Sequence, residues 1–436
     1  MDGPATFLSR ASSKSMLVRL PYGLKGVEVE LPDDAYVVRG RLPEGFSGEG
    51  AREAISSSLE SPLGPRLEEF PVQGKKVAVL ITDKTRATPN RELLGVLLPK
   101  LERAGVKKEE IKVFVANGLH KPSGEKALRE LVGDEVYEEY SVIEHDSDAE
   151  DVAYVGKTSR GTEFYVNKEV ASSDLIIGTG LIEPHFFAGY SGGRKLLLPG
   201  VASTGTVYQN HDYNKIGDPR ADYGYLEGNP IHEDMVEAAK MVRGFRFIVN
   251  VLLDEQKKVI KAFSGDPYQA HLAGVKEYDS FGRVAVPFEA DVTVVTNGGA
   301  PLDLNLYQAV KGITTAARVT KRGGVIVVLS RCQEGVGHES FRELASYSKN
   351  PAQILEHIKE DEPIRDQWQV QKLEQVLLKQ KVVVFSEGVT EKEVEELNMI
   401  PASSFDEALR TALRLAGGNR VVAIPDGPYV IPFKVA

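Results

Sequence analysis

The chain of 436 residues has room for two to three domains at about 150 residues each, and its 42% hydrophobic and 27% charged residues exclude a disordered or fibrous protein. No apolar run approaches the roughly 18–20 residues of a membrane span, and a net charge of −10 without a basic block excludes a surface built for nucleic-acid phosphates. The single cysteine, Cys332, excludes an internal disulfide and any cysteine-built zinc or iron–sulfur centre, and fits a reducing cytoplasm.

Residues 1–16 lack the apolar stretch of a secretory signal and read as a flexible leader, with Met16 open as a second start. Residues 17–45 alternate apolar and polar positions around a Gly23–Gly26 turn, which predicts a hairpin serving as an edge or cover. Strands are then expected at 76–82, 111–116, 173–178, 246–252, 291–296, 323–329, 381–385 and 420–424. Helices are expected at 90–104, 123–132, 229–243, 267–279, 304–318, 350–359, 366–379 and 404–416. Nearly all-apolar strands separated by helices imply parallel sheets covered on both faces. The fold class is α/β: two α/β domains with largely parallel sheets and an N-terminal β-hairpin. The first domain is expected over 17–286, with residues 420–436 as a candidate return to it, and the second over 290–418.

Four loops that follow apolar strands concentrate Gly, Pro, His, Arg and Lys, and ligands of doubly wound sheets bind beyond the carboxyl ends of the strands. They are Asp83 to Pro89, Asn117 to Pro122, Glu183 to Lys195, and Asn297 to Pro301. His120 is either a general base or a turn histidine bonding a carbonyl. His185 precedes Phe186 and Phe187, aromatics that either wall a small pocket or pack in a core. Two histidines after neighbouring strands are what a two-base isomerisation needs, one on each side of a carbon.

The stretch Gly189 to Gly200 fails the Walker A pattern, because Arg194 and Leu196 stand where the pattern requires Gly and Ser or Thr. Gly189-Tyr190-Ser191-Gly192-Gly193 does match Gly-x-Ser-x-Gly, though Pro-His-Phe-Phe-Ala is a poor strand to precede a nucleophile elbow. A third reading is a glycine-rich loop that cradles a phosphate, with Arg194 and Lys195 adding charge and Lys195 as a covalent anchor. His211 is either a surface histidine or the one protein ligand of a metal held otherwise by a cofactor. His232-Glu233 lacks the second histidine of a zinc helix, since position 236 is Val. Arg86 can fork onto a substrate carboxylate. Tyr307 and Lys311 share one helix face, with Gln308 beside them.

Taken together, Asp83-x-Thr85-Arg86, Gly118-Leu119-His120, Glu183-Pro184-His185-Phe186-Phe187-Ala188-Gly189, Gly192-Gly193-Arg194-Lys195, Asn297-Gly298-Gly299 and Leu306-Tyr307-Gln308 to Lys311-Gly312 resemble the nickel-dependent lactate racemase family. Leu226-Glu227-Gly228-Asn229-Pro230 and Asp366-Gln367-Trp368-Gln369 are similar too. The resemblance implies a nickel-pincer nucleotide, a pyridinium mononucleotide with sulfur groups that grip nickel, bound covalently to Lys195 and lying between two domains. It implies nickel ligation by His211 and acid–base roles for His120 and His185. Asp83, Thr85, Gly192, Gly193 and Arg194 would border the cofactor. Arg86 and Lys311 would hold the substrate carboxylate, with Tyr307, Gln308 and Trp368 lining the pocket. The Arg86 loop reads Arg-Ala-Thr-Pro where many relatives have proline directly after the arginine, so its backbone is expected to differ locally.

The expected activity is racemisation or epimerisation of lactate or another short-chain 2-hydroxy acid, by hydride transfer to and from the cofactor. Cofactor-synthesis enzymes would be maturation partners, with no nucleic acid and no membrane. The alternatives are a serine hydrolase using Ser191 and a non-catalytic nickel-nucleotide-binding protein.

Overall fold

The computed structural model describes residues 14–40 and 50–435. They divide into two compact units, one holding the described residues of 40–283 with Glu356–Gln371, the other residues 14–39, Val284–Leu355 and residues 372–435. The expected leader lies outside the described residues up to position 13, and Ser15 and Met16 already belong to the first strand.

The first unit is built on a six-stranded sheet in the order Val259–Gly265, Phe245–Leu253, Leu175–Leu181, Val77–Thr82, Ile111–Ala116, Ser141–Glu144. Every pairing is parallel except that of the edge strand Val259–Gly265, which returns antiparallel on Phe245–Leu253. The central strands are buried except at Thr82 because both faces are covered, the reason their sequences show no alternation. On one face Val79, Ile81, Val113, Ile177 and Val249 pack against Leu94, Leu97 and Leu98 of the helix Asn90–Arg103, each worth roughly 1.5–3 kcal/mol of burial.

The six-stranded sheet of the second unit is parallel throughout, in the order Ile400–Ala402, Lys381–Phe385, Thr320–Leu329, Ala290–Thr296, Val421–Ile424, Tyr36–Val37. Helix Phe405–Ala416 lays Ala408 and Ala412 on Val292, Val294 and Val327.

The hairpin Ser15–Leu20 with Val27–Pro32 forms as expected, antiparallel. Its place corrects the expected first domain of 17–286. The inward positions Val18, Leu20, Val29 and Leu31 belong to the core of the second unit, together with Val292 and Val294. The C-terminal strand does not return to the first unit either. Val421–Ile424 is wholly buried and pairs with Ala290–Thr296 on one side and Tyr36–Val37 on the other. An all-apolar strand of this kind needs neighbours on both edges, and the N-terminal segment supplies the second. Among the described residues, no helix is long and apolar enough to cross a membrane.

Candidate active site

In the first unit the polar loops leave the carboxyl ends of three adjacent parallel strands: Val77–Thr82, Ile111–Ala116 and Leu175–Leu181. After the first strand, Asp83 is buried and its Oδ2 lies 2.7 Å from His120 Nδ1. A carboxylate only accepts, so His120 donates from Nδ1, which leaves the lone pair of the neutral ring on Nε2. Thr85 donates its hydroxyl to the other carboxylate oxygen at 2.9 Å. Burial alone would raise the Asp83 carboxyl, but the hydrogen bond and charge of His120, with Arg86 and Thr85, hold it below the usual carboxylate range. Asp83 and Thr85 thus act on His120.

His120 reaches its position through a turn in which its N–H donates to Asn117 O at 3.0 Å, with Gly118 in the left-handed region at φ 56°. Arg365 donates to the Leu119 carbonyl at 2.6 Å and pairs with Asp148 at 3.0 Å, fixing the loop from outside. The His120 side chain remains 40% exposed, open to a small molecule. Arg86 gives one N–H to Glu183 Oε1 at 3.2 Å, which leaves other donors of its fork for an anion.

After the third strand, Pro184–His185 pairs antiparallel with Gly189–Tyr190, so Phe186, Phe187 and Ala188 form the tip of a tight ribbon. His185 stacks on Phe186 at 5.1 Å and meets Phe187 edge-on at 4.5 Å. Its Nδ1 accepts from the Ala188 N–H at 3.3 Å. That is a long contact, and a second proton on the ring at Nδ1 would give it up. Phe187 is the hub of the site: Lys195 Nζ lies 5.7 Å from its ring centroid, and His211 meets it at 4.9 Å. His211 in turn meets Trp368 at 5.0 Å, and Trp368 packs on Tyr208 at 6.3 Å. Asn229 ties the ribbon down by donating its amide to Phe187 O at 2.9 Å, which explains the Leu-Glu-Gly-Asn-Pro segment.

The glycine loop differs from the expected phosphate cradle. The Gly193 N–H donates to Asn250 Oδ1 at 2.8 Å, and a Cβ on Gly192 would stand 2.7 Å from that same oxygen. Arg194 is buried, donating to Ala188 O at 2.7 Å and Gly192 O at 3.2 Å, and burial pushes its guanidinium down to about 9. These three residues shape the turn that presents Lys195. Ser191 donates its hydroxyl to Leu181 O at 2.9 Å and accepts from the Glu183 N–H at 2.9 Å. Among the described residues no imidazole bonds this hydroxyl, the base that a Ser–His nucleophile pair would need.

His211 ends the helix Thr204–Asn210 and is buried, and its imidazole is held well below its ordinary pKa by burial first and then by the charges of Lys195 and Lys215. It is therefore neutral, the form that binds metals. Its Nδ1 lies 2.9 Å from Asn210 Oδ1. Sequence reasoning quoted Glu183 and Asn229 within motifs without these contacts, and missed Asn210, Asp234 and Arg365. Asp234 alone left a signal, a carboxylate on the buried face of helix Pro230–Met241 beside Ile231, Met235 and Ala238.

In the second unit, Tyr307, Gln308 and Lys311 lie on helix Leu306–Ala317, beyond the carboxyl end of Ala290–Thr296. Tyr307 is buried, stacked on His338 at 4.3 Å and edge-on to Phe341 at 5.5 Å. Gln308 Oε1 is a buried acceptor with no hydrogen-bond donor among the described residues.

A family model described as the lactate racemase N-terminal domain matches residues 22–224, and one for the lactate racemase C-terminal domain matches 286–432. The chain is 35% identical over 423 residues to a lactate racemase of Thermoanaerobacterium thermosaccharolyticum, covering 95% of this chain and 98% of that protein. It is 34% identical over 425 residues to a lactate racemase of Lactiplantibacillus plantarum, covering 95% and 99%. The solved lactate racemase apoprotein of T. thermosaccharolyticum superposes with a TM-score of 0.90 at 34% identity, over 96% of this chain and 100% of that one. A crystal structure from Thermotoga maritima shares the fold with a TM-score of 0.66 at 18% identity, over 88% and 97%.

Proposed function

The chain belongs to the lactate racemase family and is a racemase, and we propose that it interconverts the enantiomers of lactate or another short-chain 2-hydroxy acid with a nickel-pincer nucleotide held covalently at Lys195. The observation that carries this reading is the convergence of Lys195, His185 and His211 on one ring, Phe187.

The residues fit such a group. Lys195 brings an amine able to form an amide-type bond, and His211 a neutral imidazole nitrogen suited to nickel. Among the described residues, no set of three or more His, Cys, Asp or Glu converges as a metal site. A metal at His211 would therefore take its remaining donors from the cofactor. When bound, the cofactor would supply an electrophilic ring suited to hydride chemistry at the substrate α-carbon.

The chain's own residues manage the proton and the carboxylate. The α-proton beside a carboxylate is barely acidic, so the proton to be moved is that of the hydroxyl. His120 takes it at Nε2 for one enantiomer, and the imidazolium so formed is compensated by Asp83 at 2.7 Å. His185 serves the other enantiomer. The unused donors of Arg86 hold the substrate carboxylate while the 2-oxo acid turns, and Trp368 borders the same space. For the second unit, Lys311 is assigned as an anion-binding cation, and Tyr307 and Gln308 as pocket-lining residues. The unpartnered Gln308 Oε1 is a place for a ligand hydroxyl. Maturation by the enzymes that make the nucleotide, in the cytoplasm, completes the proposal. All four proposed chemical residues, His120, His185, Lys195 and His211, are present in the chain, which favours a working enzyme over a passive carrier.

Intact mass and nickel content of protein produced alongside the cofactor-synthesis enzymes test this. Wild type should gain the mass of the nucleotide, Lys195→Ala should gain none, and His211→Ala should keep the adduct and lose nickel. A fully occupied adduct on Lys195→Ala would overturn the assignment.

A further inference from the structure

Behind His211 lies a chain of buried polar groups that the reaction itself does not use. Asp234 is fully buried on helix Pro230–Met241. Its Oδ1 accepts the Thr158 hydroxyl at 2.5 Å, and its Oδ2 accepts the Thr162 hydroxyl at 2.6 Å and the Asn210 amide Nδ2 at 2.8 Å. Lys215 Nζ stands 3.8 Å from the same Oδ2. Every donor here points at a group that can only accept.

This fixes the Asn210 amide. Turned the other way, its oxygen would face the Asp234 carboxylate, two acceptors in contact in a place that water does not reach. With Nδ2 committed to Asp234, Oδ1 must face His211, and it lies 2.9 Å from Nδ1. An amide oxygen cannot donate, so the proton of a neutral imidazole must sit on Nδ1. The lone pair is then on Nε2. Asn210 and His211 are both buried, at 0% and 3% exposure, so solvent offers neither of them a substitute partner.

We propose that Asp234, acting through Asn210, is a positioning residue that holds His211 in the tautomer whose Nε2 is ready to ligate a metal before any cofactor arrives. The inference rests on the reading of His211 as a metal ligand. A ligand histidine generally gives its other ring N–H to an outer partner that sets tautomer and ring orientation. Here the partner is an amide, whose direction is undetermined until the carboxylate behind it decides which end faces the ring. A neutral amide also leaves the ring without the added negative charge a direct carboxylate would bring.

The test is the tautomer itself, read from histidine ring nitrogen and carbon-bound proton correlations in the full-length, metal-free protein, with His211 assigned by comparison with His211→Gln. The wild type should show a protonated Nδ1 and an unprotonated Nε2. In Asn210→Leu, which keeps the volume and removes the acceptor, the Nε2 signal should move toward the protonated position. In protein matured with cofactor, nickel affinity should fall by about 10- to 100-fold at unchanged adduct mass. A protonated Nε2 in the wild type overturns the proposal without any variant being needed. So does a tautomer unchanged by Asn210→Leu. Because the spectrum is taken without metal, this result is independent of the ligand assignment, which the nickel content of His211→Ala decides separately.

Discussion

Asp83 Oδ2 and His120 Nδ1 sit 2.7 Å apart, joining the loops after two neighbouring parallel strands into one acid–base unit. In the proposed reaction the carboxylate orients the ring and stabilises the imidazolium. Asp83→Asn puts an amide there that can offer N–H to Nδ1 and reward the wrong tautomer. The expected result is a fall in kcat for racemisation of at least about 100-fold, with KM changed far less and the fold intact by circular dichroism. A variant with wild-type kcat would remove His120 from the chemistry.

Gly193 sits at φ 54°, and a Cβ there would stand 3.0 Å from His271. Gly193→Ala should lower stability by about 1–2 kcal/mol from the left-handed backbone alone, seen as a lower Tm. It should also reduce covalent loading at Lys195, two residues on. Loss of stability with full loading would show that the turn does not present the lysine.

Burial and then the Arg194 charge hold His232 down to about 2 and His271 to about 3. Unfolded, each would titrate near 6.5. Because the folded values are depressed, the stability each contributes is complete above about pH 6.5 and is lost as pH falls. The loss is up to about 1.4 kcal/mol per pH unit for each histidine. Urea midpoints should therefore drop between pH 7 and pH 5, a window above the depressed titration of Asp83, and His232→Gln should flatten that drop. A midpoint independent of pH over this range would contradict the assignment.

The Ser191 hydroxyl is satisfied by Leu181 O and the Glu183 N–H. Ser191→Ala leaves both without it, at roughly 1–3 kcal/mol, but should keep racemase turnover per folded molecule. Abolished turnover in a folded, cofactor-loaded variant would return the hydrolase to consideration.

The parallel-sheet class was legible because strands such as Val77–Thr82 and Leu175–Leu181 are buried along all or nearly all of their length, which leaves runs such as Val77 to Ile81 without polar residues in sequence. The strand-end loops were legible for the same reason, since His120, His185 and Lys195 interrupt that pattern. What stayed hidden depends on long-range pairing. Nothing local in Val421–Ile424 says that it lies between residues 290–296 and 36–37, and nothing in Gly192-Gly193 says that Asn250 occupies the turn. Short alternating strands such as Val152–Lys157 and Glu163–Asn167 were missed as well, because they form a small two-stranded sheet of their own. Asn210 was invisible as the partner of His211, since adjacent residues on a helix end give no periodic signal.

The most direct test of the hydroxyl-proton and hydride account follows the α-hydrogen itself. Each enantiomer of lactate, deuterated at the α-carbon, is racemised by the matured enzyme in ordinary water, and substrate and product are separated and analysed by mass. The account predicts a primary kinetic isotope effect and deuterium retained at the α-carbon of both configurations, because His120 and His185 exchange only the hydroxyl proton. Washout of that deuterium into solvent during turnover would mean that a base removes the α-hydrogen as a proton, and would contradict the account.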